Sequence, residues 1–164
     1  MHGKSWQYIN INKDWAVGHT GIINEDITKY TKGDELVTIE CLNGPGVVKK
    51  PYISWATKHY LMGLQFVNYK WSWRKFSVEK TCTIIDNPSA LANIANKYLD
   101  CEYVSKLEFM FAKWVAPERF TCTTLIWWCA KQAYGINLSN WFASFVSPSA
   151  IYLNDHTYLI KEVK

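Results

Sequence analysis

The sequence predicts an α+β fold, a mostly antiparallel sheet with helices packed on it. Three observations predict it. Several short runs alternate apolar and polar residues with the two-residue period of strands. Two later segments carry helix-start residues followed by apolar positions at helical spacing. The strand runs flank the helical ones, at the start and again at the end of the chain. The length of 164 residues suits one compact domain over residues 1–164, and 49% apolar with 20% charged residues is a globular composition.

Taken in order, "AVGHTGIIN" reads as a strand at about Ala16 to Asn24, with Val17, His19, Gly21 and Ile23 on one face. A polar turn around "TKGDE" follows. The next strand is "LVTIECLN", Leu36 to Asn43, with Thr38, Glu40 and Leu42 on one face and Val37, Ile39 and Cys41 on the other. "NGPG" is a strong turn signal. "WATKHYLMGLQFVNYKWSWRKFSV" reads two ways at first. Its second half sets Tyr69, Trp71 and Trp73 against Lys70, Ser72 and Arg74, which favours a strand. A helix is expected from about Pro88 to Asp100, capped by Asn87 with Pro88 in its first position. A second runs from about Thr121 to Tyr134, with Thr121 as N-cap and Gly135 as the stop. "HTYLIKEV" closes the chain as a strand.

Composition removes several function classes. The net charge is only +4 and the Lys and Arg residues are scattered, so no nucleic-acid partner is expected. The five cysteines are odd in number and form no CxxC pair, which argues against a disulfide framework and a tetrahedral zinc site. Reduced cysteines favour a cytoplasmic setting. The start "MHGKSWQYININKDW" has no signal-peptide core, although a leader removed beforehand would leave export open. No stretch of about 18 apolar residues suggests a transmembrane helix. Aromatic residues reach 16%, enough for a sizeable core plus exposed aromatic surface. The stretch "YKWSWRKF" (Tyr69 to Phe76) fits a packed sheet face first, a membrane interface or sugar-stacking surface second.

Three residues carry candidate chemistry. Cys122 opens the second helix, where unpaired N–H groups and the helix dipole lower a thiol pKa. The same residue shares a face with Ile126, Cys129, Ala130 and Ala133, so simple burial is the competing reading. A cysteine nucleophile needs a base near neutrality. Of the four histidines, His2 is terminal, His156 lies in a polar turn and His59 lies in the ambiguous segment. His19 alone sits within a well-marked strand, between Gly18 and Gly21. Its competing reading is a core histidine bonded to a backbone carbonyl. Glu40 lies on the following strand in an apolar-rich run, where a carboxylate is costly unless paired. It is placed to orient a histidine or, equally, to face solvent.

Three stretches then resemble the YiiX-like proteins, circularly permuted members of the NlpC-type papain-like cysteine hydrolases. They are "GHTGII", "VTIECLNGPGVVKKPYISW" and "FTCTTLIWWCAKQAYGINL". "FVSPSAIYLNDHTYLI" is similar to that family's Ser/Thr-Pro segment. The order is His, Glu, Cys, reversed from unpermuted papain-like enzymes. "SWQYININKDW" lacks the family's Gly-Asp-Ile strand, Thr123 replaces the commoner Ser, and "LDCEYVS" keeps only Tyr103 of a Gly-x-Pro-Tyr-Asp stretch. The resemblance implies a permuted papain-like fold, with a small sheet or half-barrel carrying His19 and Glu40 against the Cys122 helix. It implies a Cys122–His19–Glu40 triad, no metal and no cofactor. The implied substrate is peptide-like or acylated: an amide in a small peptide, a cell-wall peptide or an N-acyl amino acid. A lipid acyl hydrolase or acyltransferase of the same fold, and a non-catalytic peptide- or glycan-binding module, are the alternatives.

Overall fold

The computed structural model describes residues 7–10, 19–24, 37–51, 61–74, 77–85, 87, 89–140 and 142–163. Strands β1 (Gln7–Asn10), β2 (His19–Ile23), β3 (Val37–Leu42), β4 (Gly46–Pro51), β5 (Leu61–Arg74), β6 (Ser77–Ile84) and β9 (Thr157–Val163) form one antiparallel sheet. Its order is β4-β3-β2-β1-β5-β6. The long β5 serves three neighbours: its first half pairs with β1 on one edge and β9 on the other, and its second half forms a hairpin with β6. A separate two-stranded parallel sheet joins β7 (Glu102–Tyr103) to β8 (Arg119–Phe120). The helices are α1 (Ala90–Ala95), α2 (Ala112–Val115), α3 (Cys122–Tyr134) and α4 (Pro148–Tyr152). The mixed architecture, antiparallel sheet plus few helices, is the α+β class that the alternation predicts.

The register explains which side chains meet the helices. Ile22 lies opposite Ile39, so the two share a face, with Cys41 two residues along β3 on the same side. Those three pack with Leu125 and Ile126 of α3 and with Leu91 of α1 in the core. Burial of that many aliphatic side chains, at about 1.5–3 kcal/mol each, is what fixes α3 against β2 and β3. Ile126, Cys129 and Ala130 are fully buried along one stripe, as the helical spacing predicts. Cys122, at the top of the stripe, keeps partial exposure.

α3 begins where the sequence places it. Thr121 is extended and its hydroxyl accepts from the Thr124 N–H, while the Thr124 hydroxyl accepts from the Thr121 N–H. This reciprocal cap satisfies two of the donors that a helix start leaves open. Gly135 ends it in a left-handed conformation at φ 68°. α4 has the same design, with Ser147 accepting from Ala150 and Pro148 in the first turn.

Three expectations change. The helix expected over Pro88 to Asp100 is shorter: α1 starts at Ala90 after Ser89, and a 3-10 turn follows at Asn96–Tyr98. Asn87 is not its side-chain cap. The Asn87 carbonyl receives the Ala90 N–H, and its side chain receives the Ser89 hydroxyl. Asn96 tightens the end, because its amide turns back onto the Ala92 carbonyl at 2.8 Å and also reaches Asn24 at 2.6 Å. Pro88 lies outside the described residues, as do residues 16–18, the "TKGDE" turn, His2 and His59. The second change is a strand, β1, in the segment that departs from the Gly-Asp-Ile pattern; it seats between β2 and β5, with Asn10 opposite His19. The third concerns "YKWSWRKF", expected first as a packed face: Trp71 is 50% exposed on the β5–β6 hairpin, with the Lys80 ammonium 5.8 Å from its ring. On the same face Tyr69 is half-buried, edge-on to the His156 ring at 4.6 Å between centres.

Candidate active site

Gly21 lies directly opposite Glu40 in the β2–β3 ladder. Alternation puts His19 on the same face as Gly21, so His19 and Glu40 are diagonal neighbours. Gly21 has no side chain to stand between them. His19 Nε2 lies 3.0 Å from Glu40 Oε2, and the carboxylate is buried at 4% exposure. The Thr38 hydroxyl, two residues earlier on the same face, donates to Glu40 Oε1 at 2.5 Å and also contacts the Lys50 carbonyl at 3.1 Å. Both carboxylate oxygens are thereby engaged, which offsets the cost of burying the charge.

The β2–β3 ladder stops at Gly21–Glu40, so His19 and Thr20 have no partner residue in β3. The start of α3 approaches there. The Cys122 sulfur hydrogen-bonds His19 and receives the Thr20 backbone N–H. The Thr20 hydroxyl is buried beside the same sulfur, near enough to favour its charged form, yet it meets hydrogen-bond geometry with no described group.

Three further contacts hold the approach to Cys122. The Cys41 thiol donates to the Phe120 carbonyl at 3.2 Å, and the Val104 N–H reaches the same oxygen at 3.0 Å. The Thr123 hydroxyl donates to the Val146 carbonyl at 2.6 Å. β7 is held in turn by the "NGPG" turn, through Val47 N–H to Cys101 O at 2.8 Å and Asp100 N–H to Val47 O at 2.9 Å. Gly46 permits this approach: it sits at φ 76°, and a Cβ there would strike the Cys101 carbonyl.

The electrostatics follow from this geometry. Burial alone would lower the His19 pKa, but the hydrogen bonds and charges of Cys122 and Glu40 outweigh it and raise the value to about 9. Burial alone would raise the Cys122 thiol, but His19 and the Thr20 donors hold it below its ordinary value. Both shifts favour the thiolate–imidazolium form of the pair over the neutral one. Burial pushes the Cys41 and Cys129 thiols up instead, so they stay protonated. Tyr103, on β7 beside Cys122, is pushed up to about 12 by burial and by the neighbouring sulfurs, and keeps its proton.

His19, Glu40 and Cys122, the three residues singled out in the sequence, therefore meet at one place. Thr38, Thr20 and Cys41 were not assigned to it. The signal for Thr38 was available, since it shares the Glu40 face; the other two depend on where α3 docks. Among the described residues no three His, Cys, Asp or Glu side chains are grouped as a metal ion would require. No family model, curated protein or solved structure matches this chain.

Proposed function

We propose that the chain is a cysteine hydrolase, an amidase or peptidase that works through a thioester on Cys122. The observation that carries this reading is the convergence of a helix-start thiol, an imidazole and a buried carboxylate from three separate elements, with the thiol pKa lowered and the imidazole pKa raised. A packing cysteine needs neither partner; Cys129, on the same helix, has neither among the described residues and is pushed the other way. The permuted papain-like reading draws support from the same layout: His19 and Glu40 on adjacent antiparallel strands, the nucleophile on a later helix, and the His-Glu-Cys order.

In this mechanism the Cys122 thiolate attacks the carbonyl carbon of an amide. As the first residue of α3, Cys122 has an N–H without an intrahelical acceptor, and that N–H faces the developing oxyanion. The His19 imidazolium gives its proton to the departing amine as the C–N bond breaks, leaving a thioester. His19, now neutral, takes a proton from water; the hydroxide equivalent attacks the thioester, and the carboxylic acid leaves with the Cys122 thiolate restored. Glu40 holds the imidazole orientation and favours its charged form, and Thr38 holds Glu40. The substrate class is an amide in a small peptide, a cell-wall peptide or an N-acyl amino acid.

The test is the alkylation rate of each cysteine against pH, read by peptide mass mapping on wild type and His19→Ala, followed by trapping with an activated acyl ester. Cys122 is expected to react well below pH ~8.5, the free-thiol value, and to lose that advantage without His19. It is also expected to carry the acyl group transiently. Reaction of Cys122 like a free thiol in both proteins, with no acyl adduct, refutes the hydrolase and leaves a binding module.

A further inference from the structure

Large apolar side chains on two segments near α3 point into solvent. Leu107, Trp114 and Phe142 are 88%, 72% and 90% exposed, and Met110, Phe111 and Phe145 are also open. Single exposed apolar residues are ordinary, whereas a contiguous group marks an interaction surface. These are contiguous. The Lys113 N–H donates to the Ser144 carbonyl at 3.0 Å, and the Lys113 ammonium reaches the Asn140 carbonyl at 3.1 Å and the Ser139 hydroxyl at 3.4 Å. Phe111 and Trp114 stack at 5.1 Å between ring centres. The described residues of 106–115 and of 139–140 and 142–145 are thus in contact, which brings their exposed side chains to one side of the molecule.

Its charge is one-sided. Glu108 is the single carboxylate in residues 106–115 and is neutralised by Arg119 at 2.7 Å; residues 139–145 carry no ionisable side chain. Lys113 and Lys131 stand over the Trp127 ring at 5.1 and 5.4 Å, and among the described residues neither has a carboxylate partner. Burial and the Lys131 charge lower the Lys113 pKa, as expected for two ammoniums held together without an anion. An anionic group shared between them would relieve that repulsion.

We propose that this face docks on an anionic phospholipid surface, with the aromatic and aliphatic side chains entering the interfacial layer and Lys113 and Lys131 meeting phosphate groups. Trp at headgroup level, Phe and Leu below it and lysines at its rim are the composition an interface of that kind selects. The face reaches the candidate site through Val146, which Thr123 grips one residue after Cys122. Among the described residues no helix is long and apolar enough to cross a membrane, so the attachment is peripheral. The proposal does not rest on the hydrolase reading, since vesicle binding requires no reactive thiol.

The full chain would be floated with vesicles of mixed phosphatidylcholine and phosphatidylglycerol, and with phosphatidylcholine alone. The comparison is a Trp114→Ser/Phe142→Ser double variant, whose changes lie on exposed side chains, with folding checked by circular dichroism. Wild type should float with the anionic vesicles, less so at high salt, and the double variant should partition at least about tenfold more weakly. Lys131→Ala should weaken binding to anionic vesicles and leave the weak binding to neutral ones unchanged. Absence of wild-type flotation, or equal flotation of the double variant, overturns the proposal. So does a dimer by light scattering that the double variant turns into a monomer, because the face would then join two copies of the chain. Binding of inorganic phosphate alone, with no affinity for vesicles, overturns it too.

Discussion

Replacing Glu40 by Gln separates the charge of the carboxylate from its hydrogen bond. The side chain keeps its length and an oxygen able to accept from His19 Nε2, 3.0 Å away, and its amide is able to donate to the Thr38 hydroxyl. What disappears is a negative charge at 4% exposure, beside an imidazole whose pKa stands at about 9. An opposite charge at such range is worth about one to three pH units. At roughly 1.4 kcal/mol per unit, the imidazolium loses about 1.4–4 kcal/mol of support. Cys122 still hydrogen-bonds the ring, so the His19 pKa should fall without reaching that of an isolated buried imidazole. A less stable imidazolium moves the shared proton from the ring toward the sulfur, so the share of Cys122 present as thiolate falls. The pH window in which thiolate and imidazolium coexist therefore narrows from its alkaline end. The assay is an NMR titration of the His19 ring alongside Cys122 alkylation at acidic and neutral pH. Buried Cys41 and Cys129 serve as unreactive internal references. A His19 titration and a Cys122 alkylation profile both unchanged in Glu40→Gln would refute the argument, because the carboxylate would then be contributing no charge to the pair.

Two further substitutions probe the surroundings. Thr20→Val removes a buried hydroxyl that has no hydrogen-bond partner among the described residues but lies on the Cys122 sulfur. Stability to urea should hold or improve slightly, while Cys122 alkylation near neutral pH falls severalfold; an unchanged rate would show that the hydroxyl does not face the thiolate. Gly46→Ala combines a φ of 76° with a Cβ that strikes the Cys101 carbonyl, so the loss of stability should exceed about 2 kcal/mol by urea unfolding. A loss under about 0.5 kcal/mol would mean that the "NGPG" turn and the strand beside β8 part without cost.

Local signals in the sequence were read well where one residue type decides the backbone. Thr121 and Gly135 bound α3 because only a short hydroxyl side chain caps that start and only a residue tolerant of positive φ ends it in that way. Alternation placed His19 and Glu40 on strands and allowed a shared face, while the register that makes them neighbours is set by the pairing of β2 with β3. The helix after Asn87 came out shorter, because a hydrogen bond from Asn96 to a residue distant in sequence, Asn24, competes with helix propagation, and no local pattern records that partner. β1 was missed for a related reason: four residues between β2 and β5 gain their ladder from both neighbours rather than from their own alternation. Trp71 on β5 lies more open than expected, because β propensity describes fit to a pleated surface and does not say whether a second layer covers it.

The candidate site follows the same division between what is local and what is tertiary. Residue type and helix position make Cys122 a reasonable nucleophile, yet Cys129, about two turns further along the same stripe, shares its helix and its chemistry. What separates them is where the β2–β3 ladder stops. One more paired residue on β2 would spend the Thr20 backbone on β3 and close the gap at which α3 enters. The ladder ends because β3 continues toward the "NGPG" turn, where Cys41 takes the Phe120 carbonyl and Val47 takes the Cys101 carbonyl. The residues that place the sulfur are thus mostly backbone groups and one inert thiol on β3, none of which takes part in the proposed reaction. Their geometry, to a few tenths of an ångström, decides whether His19 shares a proton with Cys122.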